Sequence, residues 1–178
     1  NAYFPSNGVK FHGSYSLNTD NFLEYKDDTP FSIVSGSFEG VVPITNRFSI
    51  LPAVHGRLIF GKNIPFSKMN FMGGDIMERY LPEQLPFAGT TQVELMDNSL
   101  LIGALKLRQR IGNIHYLTFT GNYALSSHKI KNILREENMF GCAITYGMDS
   151  MFGPLEATLN YTNHSDKVGF YINLGYKF

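Results

Sequence analysis

The end of the chain alternates with period two. Val168, Phe170, Ile172, Leu174, Tyr176 and Phe178 hold the even positions, and Gly169, Tyr171, Asn173, Gly175 and Lys177 the odd ones. Successive side chains of a strand point to opposite faces. The segment therefore predicts a strand with one apolar or aromatic face and one small or polar face, the amphipathic Tyr171 apart.

The same rhythm runs backward through the sequence. Leu155, Ala157, Leu159 and Tyr161 alternate with Glu156, Thr158 and Asn160, and Phe140, Cys142, Ile144, Tyr146 and Met148 with Gly141, Ala143, Thr145 and Gly147. Leu117, Phe119, Gly121, Tyr123 and Leu125 alternate with Thr118, Thr120, Asn122 and Ala124. Leu101, Leu105 and Leu107 alternate with Lys106, Arg108 and Arg110, although Leu100 and Ile102 blur the start of that strand. Phe48, Ile50, Val54, Leu58 and Phe60 alternate with Ser49, His55 and Arg57, and Val9, Phe11, Tyr15 and Leu17 with Lys10, His12, Ser14 and Ser16. The strand around Val34, Phe38, Val42 and Ile44 is the weakest, because Ile33 and Val41 break its phase. Eight strands are predicted, with no helical period.

Alternation does not say which face is inside, since a soluble lipocalin-like barrel turns its apolar face inward. The charges discriminate. Twenty of the thirty charged residues lie in 18–30, 61–98, 126–138 and 163–167, between strands. The other ten, Lys10, Glu39, Arg47, Arg57, Lys106, Arg108, Arg110, Asp149, Glu156 and Lys177, all fall on the polar phase. A soluble barrel carries a dense mixed-charge outer face. Here the polar phase is mainly Gly, Ser, Thr and Asn, which suits a lumen. A charge facing lipid costs up to about 2–4 kcal/mol at mid-bilayer, which accounts for the charge-free apolar phase.

The connections support a transmembrane barrel, which has short periplasmic turns and longer extracellular loops. Counting back from a periplasmic C-terminus, the outer connections are 163–167, 126–138, 61–98 and 18–30. The inner ones are Met148 to Pro154, Gly112-Asn113 and Thr45-Asn46, the last two suited to tight hairpins. Only 163–167 is short for its side.

Composition agrees. Hydrophobic residues reach 43% and charged residues only 17%, yet no run approaches the roughly 18 apolar residues of a membrane helix. Fifteen basic and fifteen acidic residues cancel, leaving no electrostatic footprint for nucleic acid. One cysteine, Cys142, excludes an internal disulfide and is expected to sit inertly on the lipid face. The chain opens Asn-Ala-Tyr-Phe, without initiator Met or signal peptide, and is expected to be cut from a longer protein.

A terminal Phe preceded by alternating apolar and aromatic residues resembles the C-terminal recognition signal of outer-membrane barrels. It would be carried by Phe170, Ile172, Leu174, Tyr176 and Phe178 and read by the barrel-assembly machinery. The segment 3–178 resembles the barrel of the bacterial surface-antigen superfamily, which includes outer-membrane assembly and secretion pores. Tyr3-Phe4-Pro5-Ser6-Asn7-Gly8 looks like its periplasmic Phe-Pro-Thr-x-Gly turn, and Asn70-Phe71-Met72-Gly73-Gly74 like the start of its lumen-inserted loop. The family continues to Val-Arg-Gly-Phe or Tyr. This chain has Glu78-Arg79-Tyr80-Leu81, keeping the Arg but losing the Gly, and the acidic strand motif that pairs with that Arg is not evident around Phe119-Thr120-Gly121. The lumen-loop motif is therefore Gly73, Gly74 and Arg79, without its usual lock.

Within that superfamily the chain is most similar to the barrels of Bacteroidetes patatin-like phospholipases. Pro86-Phe87-Ala88-Gly89, the stretch from Tyr146-Gly147 to Gly153-Pro154, and the closing Gly175-Tyr176-Lys177-Phe178 carry that likeness. It implies sixteen strands in the full barrel, of which the eight here would be the C-terminal half. It also implies a Gly-x-Ser-x-Gly catalytic domain lying outside this chain, in which neither that motif nor a βαβ pattern occurs.

Other chemistry is weakly signalled. Ser126, Ser127 and His128 open an outer loop and could suggest a lipid-interface hydrolase, but a polar loop start is the better reading. The five histidines show no metal-ligand spacing, though His12 and His55 could share the lumen. Lys106, Arg108 and Arg110 form a basic row on one lumenal face. The row could set anion preference or hold an acidic loop segment such as Asp75 and Glu78, or simply solvate the lumen.

The resulting expectation is an all-β protein: an antiparallel up-and-down transmembrane β-barrel of about eight strands, or the C-terminal half of a sixteen-stranded one, spanning 1–178 as one domain. It is expected in the outer membrane of a Gram-negative bacterium, as a translocator or anchor that holds or helps export an upstream domain. No enzymatic activity and no cofactor are expected. Its partners would be outer-membrane lipid, the assembly machinery and, if two copies complete the wall, a second copy of itself; nucleic acid is not one. The alternatives are a stand-alone small barrel that binds or modifies lipid, and a soluble barrel carrying an apolar ligand.

Overall fold

The computed structural model describes residues 4–19, 30–62, 64–76, 81–90, 92–135, 137–151 and 153–174. Eight long strands form one antiparallel sheet: β1 (Gly8–Asn18), β2 (Phe31–Pro43), β3 (Phe48–Phe60), β7 (Ser99–Ile111), β8 (His115–Ser127), β9 (Glu137–Ser150), β10 (Gly153–Thr162) and β11 (Val168–Leu174). Each pairs with its sequence neighbour in that order. Between β3 and β7 the chain makes an excursion into a second, three-stranded sheet of β4 (Asn70–Gly73), β5 (Gln84–Leu85) and β6 (Val93–Asp97), ordered β5-β4-β6. This is the predicted all-β, up-and-down architecture. Among the described residues no ladder joins β1 to β11, so the eight strands form a wall with two free edges.

The register keeps the two phases separate across the whole wall. Phe11 pairs with Phe38 and Phe38 with Val54; Leu107 pairs with Phe119, Phe119 with Ile144, Ile144 with Leu159 and Leu159 with Phe170. On the other face Ser37 pairs with His55, Lys106 with Thr120, and Thr145 with Thr158. A one-residue slip anywhere would exchange the faces, so a consistent phase over seven ladders fixes each strand's register.

Burial runs opposite to that of a water-soluble barrel. Phe11, Phe38, Val54, Leu105, Phe119, Ile144, Leu159 and Phe170 are exposed, whereas Ser37, Thr120, Asn122, Thr158, Asn160 and Thr162 are buried. A charge-free apolar outer face over a polar inner one fits a wall solvated by hydrocarbon outside and by polar groups inside.

The apolar core lies in the lumen. Met72, Leu85 and Phe87 from the excursion pack against Leu100 and Ile102 of β7, Ala124 of β8 and Met139 of β9. These four wall residues occupy the lumenal phase, which explains the blurred start of β7: Leu100 and Ile102 face inward and are covered by the inserted sheet. Ile33, the misfit in β2, is likewise buried on the lumenal side, beside Gln84 and Leu85.

The connections follow the predicted asymmetry, with short links at 44–47, 112–114 and 151–152 opposite the longer ones. Gly112 sits at φ +72°, a conformation that suits glycine in a tight hairpin. The expected loop beginning at Ser126 is corrected. Ser126 and Ser127 are the last two residues of β8 and are buried, because the ladders to Leu100 and Ser99 continue through them.

Candidate functional site in the barrel lumen

The excursion from β3 to β7 is tied to the inner wall at three levels. At its root, Arg57 on the lumenal phase of β3 donates to the Lys68 carbonyl (2.9 Å) and to Asn70 Oδ1. Asn70, fully buried, returns bonds from Nδ2 to the carbonyls of Arg57 (2.8 Å) and Asn98 (2.9 Å). One Arg–Asn pair thus clamps both the entry and the exit of the loop to β3. The sequence places Arg57 on the polar phase and Asn70 at the start of the lumen loop, but it does not pair them. The available signal was an isolated arginine on an otherwise uncharged stretch of lumenal phase.

In the middle, the Gly73-Gly74 pair turns the chain. The β4–β6 register shifts between Met72 and Gly73, and Gly74 has φ +71°. A side chain at Gly73 would collide with the Gln92 carbonyl. The Gly74 amide donates to Thr90 Oγ1 (3.1 Å) and its carbonyl accepts from the Phe87 amide. Close by, Gly89 and Gly141 pack backbone to backbone: a Cβ on Gly141 would lie 2.8 Å from the Gly89 Cα and 2.6 Å from the Phe87 ring. This contact seats the Pro86–Gly89 element against β9.

At the tip, the Gly-Gly turn delivers Asp75 to Lys106. The Nζ–Oδ1 distance is 2.8 Å and both side chains are about three-quarters shielded from solvent. The basic row therefore does not act as one unit. Lys106 meets the loop, while Arg108 is buried further toward the short-turn end, where it donates to the Pro5 carbonyl and lies 5.9 Å from the ring centroids of both Phe4 and Tyr116. Phe4 stacks on Tyr116 at 4.0 Å and 9°, in the space left by Gly147, where a Cβ would come 3.1 Å from Phe4 Cζ. Arg110 is exposed at the rim.

The remaining candidates are placed as follows. Arg79 and Glu78 of the loop, and Tyr176 and Phe178 of the last strand, lie outside the described residues. Phe170, Ile172 and Leu174 are exposed on the outer face of β11. Cys142 is half-buried on the outer phase of β9. His12 and His55 both pair with Ser37 on the lumenal face, and His55 lies 4.0 Å from Glu39. At the long-loop rim His128 Nδ1 meets Asp97 Oδ1 at 2.7 Å, a contact between β6 and the end of β8 that the sequence did not reveal. The Ser126 hydroxyl is buried without a hydrogen-bond partner among the described residues, and Ser127 Oγ bonds Lys129. Among the described residues no group of His, Cys, Asp or Glu could hold a metal ion.

A wall that is apolar outside and polar inside, with a long loop folded against its inner face, is consistent with the wall of an outer-membrane β-barrel. The family model of the OMP85 superfamily matches residues 1–178, and the chain belongs to that superfamily. Membership gives it the general role of an outer-membrane translocation or assembly barrel. No curated protein matches the chain.

Proposed function

We propose that the chain is the C-terminal wall and plug of an outer-membrane translocator or anchor that holds, or helps export, an upstream patatin-like domain. The observation that carries this reading is the inserted sheet, pinned to the inner wall by Arg57–Asn70 and Asp75–Lys106. A loop held by a lumenal ion pair is a plug that can change state, because the pair contributes while desolvated and is replaceable by water or by a passing polar chain. Phe4, stacked on Tyr116 beneath Arg108, narrows the opposite end. Chemistry on substrate belongs to the upstream domain. In this reading His128–Asp97 is a rim latch, since the neighbouring Ser126 hydroxyl is buried rather than presented to a histidine.

The test uses the complete gene product in a Gram-negative host. Surface exposure of the upstream domain is scored by protease access to intact cells, for the wild type, Lys106→Glu and the charge swap Lys106→Asp with Asp75→Lys. Loss of surface exposure in Lys106→Glu with recovery in the swap is expected. Equal exposure in all three, with the barrel folded, would refute the role of the plug.

A further inference from the structure

We propose that the lipid-facing side of β1–β3 holds a binding site for one phosphorylated acyl lipid of the leaflet on the long-loop side. The proposal rests on the membrane reading and adds a specific ligand to it. An apolar cavity of about 460 Å³ lies on the outer face, walled by Phe11, Val34, Phe38, Val54, Leu58 and Leu101. Gly36 and Gly56 form its floor, and Ile133, from the loop between β8 and β9, reaches over it. Its size falls within the range of about 300–1,000 Å³ usual for small-molecule sites.

At Gly36 the floor is not explained by packing within the chain. Gly36 stands opposite both Gly13 and Gly56 in the ladders, so three glycines line up across β1, β2 and β3. A Cβ at Gly36 would find its nearest neighbour 3.8 Å away, and ones at Gly103 and Gly121, further round on the same face, would meet nothing within 4 Å. Glycine inside a strand is unfavourable for chain entropy, and it often marks the close approach of a ligand. At Gly36 a side chain would fit, although at Gly56 a Cβ would press on Leu101 at 3.3 Å, and its absence at Gly36 leaves a groove for something outside the chain. In a membrane wall whose groove is lined almost wholly by apolar groups, Ser35 and Ser37 apart, that occupant is an acyl chain.

The overhanging loop supplies the headgroup chemistry. Ile133 dips into the cavity and Leu134 is largely exposed, while Lys129, Lys131 and Arg135 are exposed beside them. Among the described residues none of these three cations has a carboxylate partner. Glu136 and Glu137 follow Arg135 in the sequence, so Lys129 and Lys131, next to the apolar tip, are the cations that match an acyl chain below and a phosphate above. Arg and Lys bind phosphate oxygens through charge-assisted hydrogen bonds. Gly36 of β2 and Gly56 of β3 lie in the half nearer the long connections, with Gly13 midway along β1, so the groove opens toward the side that carries the overhanging loop.

The experiment titrates the detergent-purified, delipidated chain with bisphosphorylated lipid A and with its dephosphorylated form, reading bound stoichiometry by native mass spectrometry. One tightly bound phosphorylated lipid, at least tenfold preferred over the dephosphorylated form, is expected. Gly36→Leu, which fills the groove at a position with room for a side chain, should weaken binding at least tenfold while unfolding is unchanged. Lys129→Glu combined with Lys131→Glu should abolish the phosphate preference but leave weak binding of both forms. Equal binding by wild type and Gly36→Leu would overturn the proposal. So would a defined dimer dispersed by Gly36→Leu, which would assign the groove to a second copy of the chain. A chain that is monodisperse without detergent would instead remove the membrane reading itself, so the two failures are distinguishable.

Discussion

Replacing Lys106 by Met removes the charge and keeps most of the side-chain volume, leaving Asp75 facing the lumen without its partner. Breaking a fully buried pair in this way costs about 3–5 kcal/mol, and an exposed pair contributes about 0–1 kcal/mol. Lys106 and Asp75 are 27% and 25% exposed, so an intermediate cost of about 2 kcal/mol is expected. At about 1.4 kcal/mol per factor of ten, that raises the population with the loop tip undocked roughly thirtyfold. Native-state hydrogen exchange reads this directly. The amides at the Gly73–Gly74 turn should lose protection by about that factor, while those of β8 and β9, held by ladders on both sides, stay unchanged.

A double-mutant cycle separates the pair from its surroundings. Asp75→Asn alone should cost less than Lys106→Met, because the amide oxygen can still accept a hydrogen bond from the Lys106 ammonium, whereas Lys106→Met takes away the carboxylate's donor. The double variant should recover about 1–2 kcal/mol relative to the sum of the singles, the coupling expected of residues in contact. Singles that add within about 0.5 kcal/mol, or tip amides whose exchange ignores Lys106→Met, would refute the lock.

Three further expectations follow. Gly141→Ala drives a methyl group to 2.6 Å from the Phe87 ring and 2.8 Å from the Gly89 backbone; overpacking of about 1–3 kcal/mol should appear as faster exchange across 84–90 without loss of the wall. Ile144→Arg, at the middle of β9 on the outer face, should cost about 2–4 kcal/mol in urea-induced unfolding from vesicles, whereas Ile144→Leu should stay within about 1.5 kcal/mol; equal costs would count against a lipid-facing wall. Phe4→Ala removes the stack on Tyr116 and the ring beside Arg108, and a loss of about 2 kcal/mol is expected in the same assay.

Much of the wall was legible because lipid imposes a strict rule on one face. Phe119 or Ile144 has one tolerable neighbourhood, so alternation plus the position of ten charges oriented the wall, with β8, which carries none of them, following by alternation alone. The lumen was less legible, since a lumenal residue can face water, the plug or another strand, and each tolerates different chemistry. Leu100, Ile102 and Ile33 seemed to be errors of phase and are the surfaces covered by the loop. Lys106 and Asp75 were named as one of several options, but a separation of 31 positions along the chain hides which carboxylate arrives. Arg57–Asn70 was missed because its partners are mostly backbone carbonyls, which carry no sequence signal. Phe4 was assigned to a turn. Its place against Tyr116 depends on Gly147, on a strand far along the chain.

The distribution of polar and apolar contacts along the plug bears on how it could open. Asp75 at the tip is held by a charge, whereas Met72 and Phe87 meet Leu100 and Ile102, all four essentially buried. Exposing such side chains costs about 1.5–3 kcal/mol each, or roughly 6–12 kcal/mol for the four, several times the contribution of the ion pair. Withdrawing the whole sheet would also leave Leu100 and Ile102 facing a wet lumen. The low-energy motion is therefore release of the Gly74–Asp75 tip with the apolar root still seated. A polar chain entering from the short-turn side would meet Arg108 and then Lys106, and could compete with Asp75 for the lysine without disturbing the core. In the proposed plug reading this gradient favours partial displacement of the tip, with Arg57–Asn70 as the fixed end.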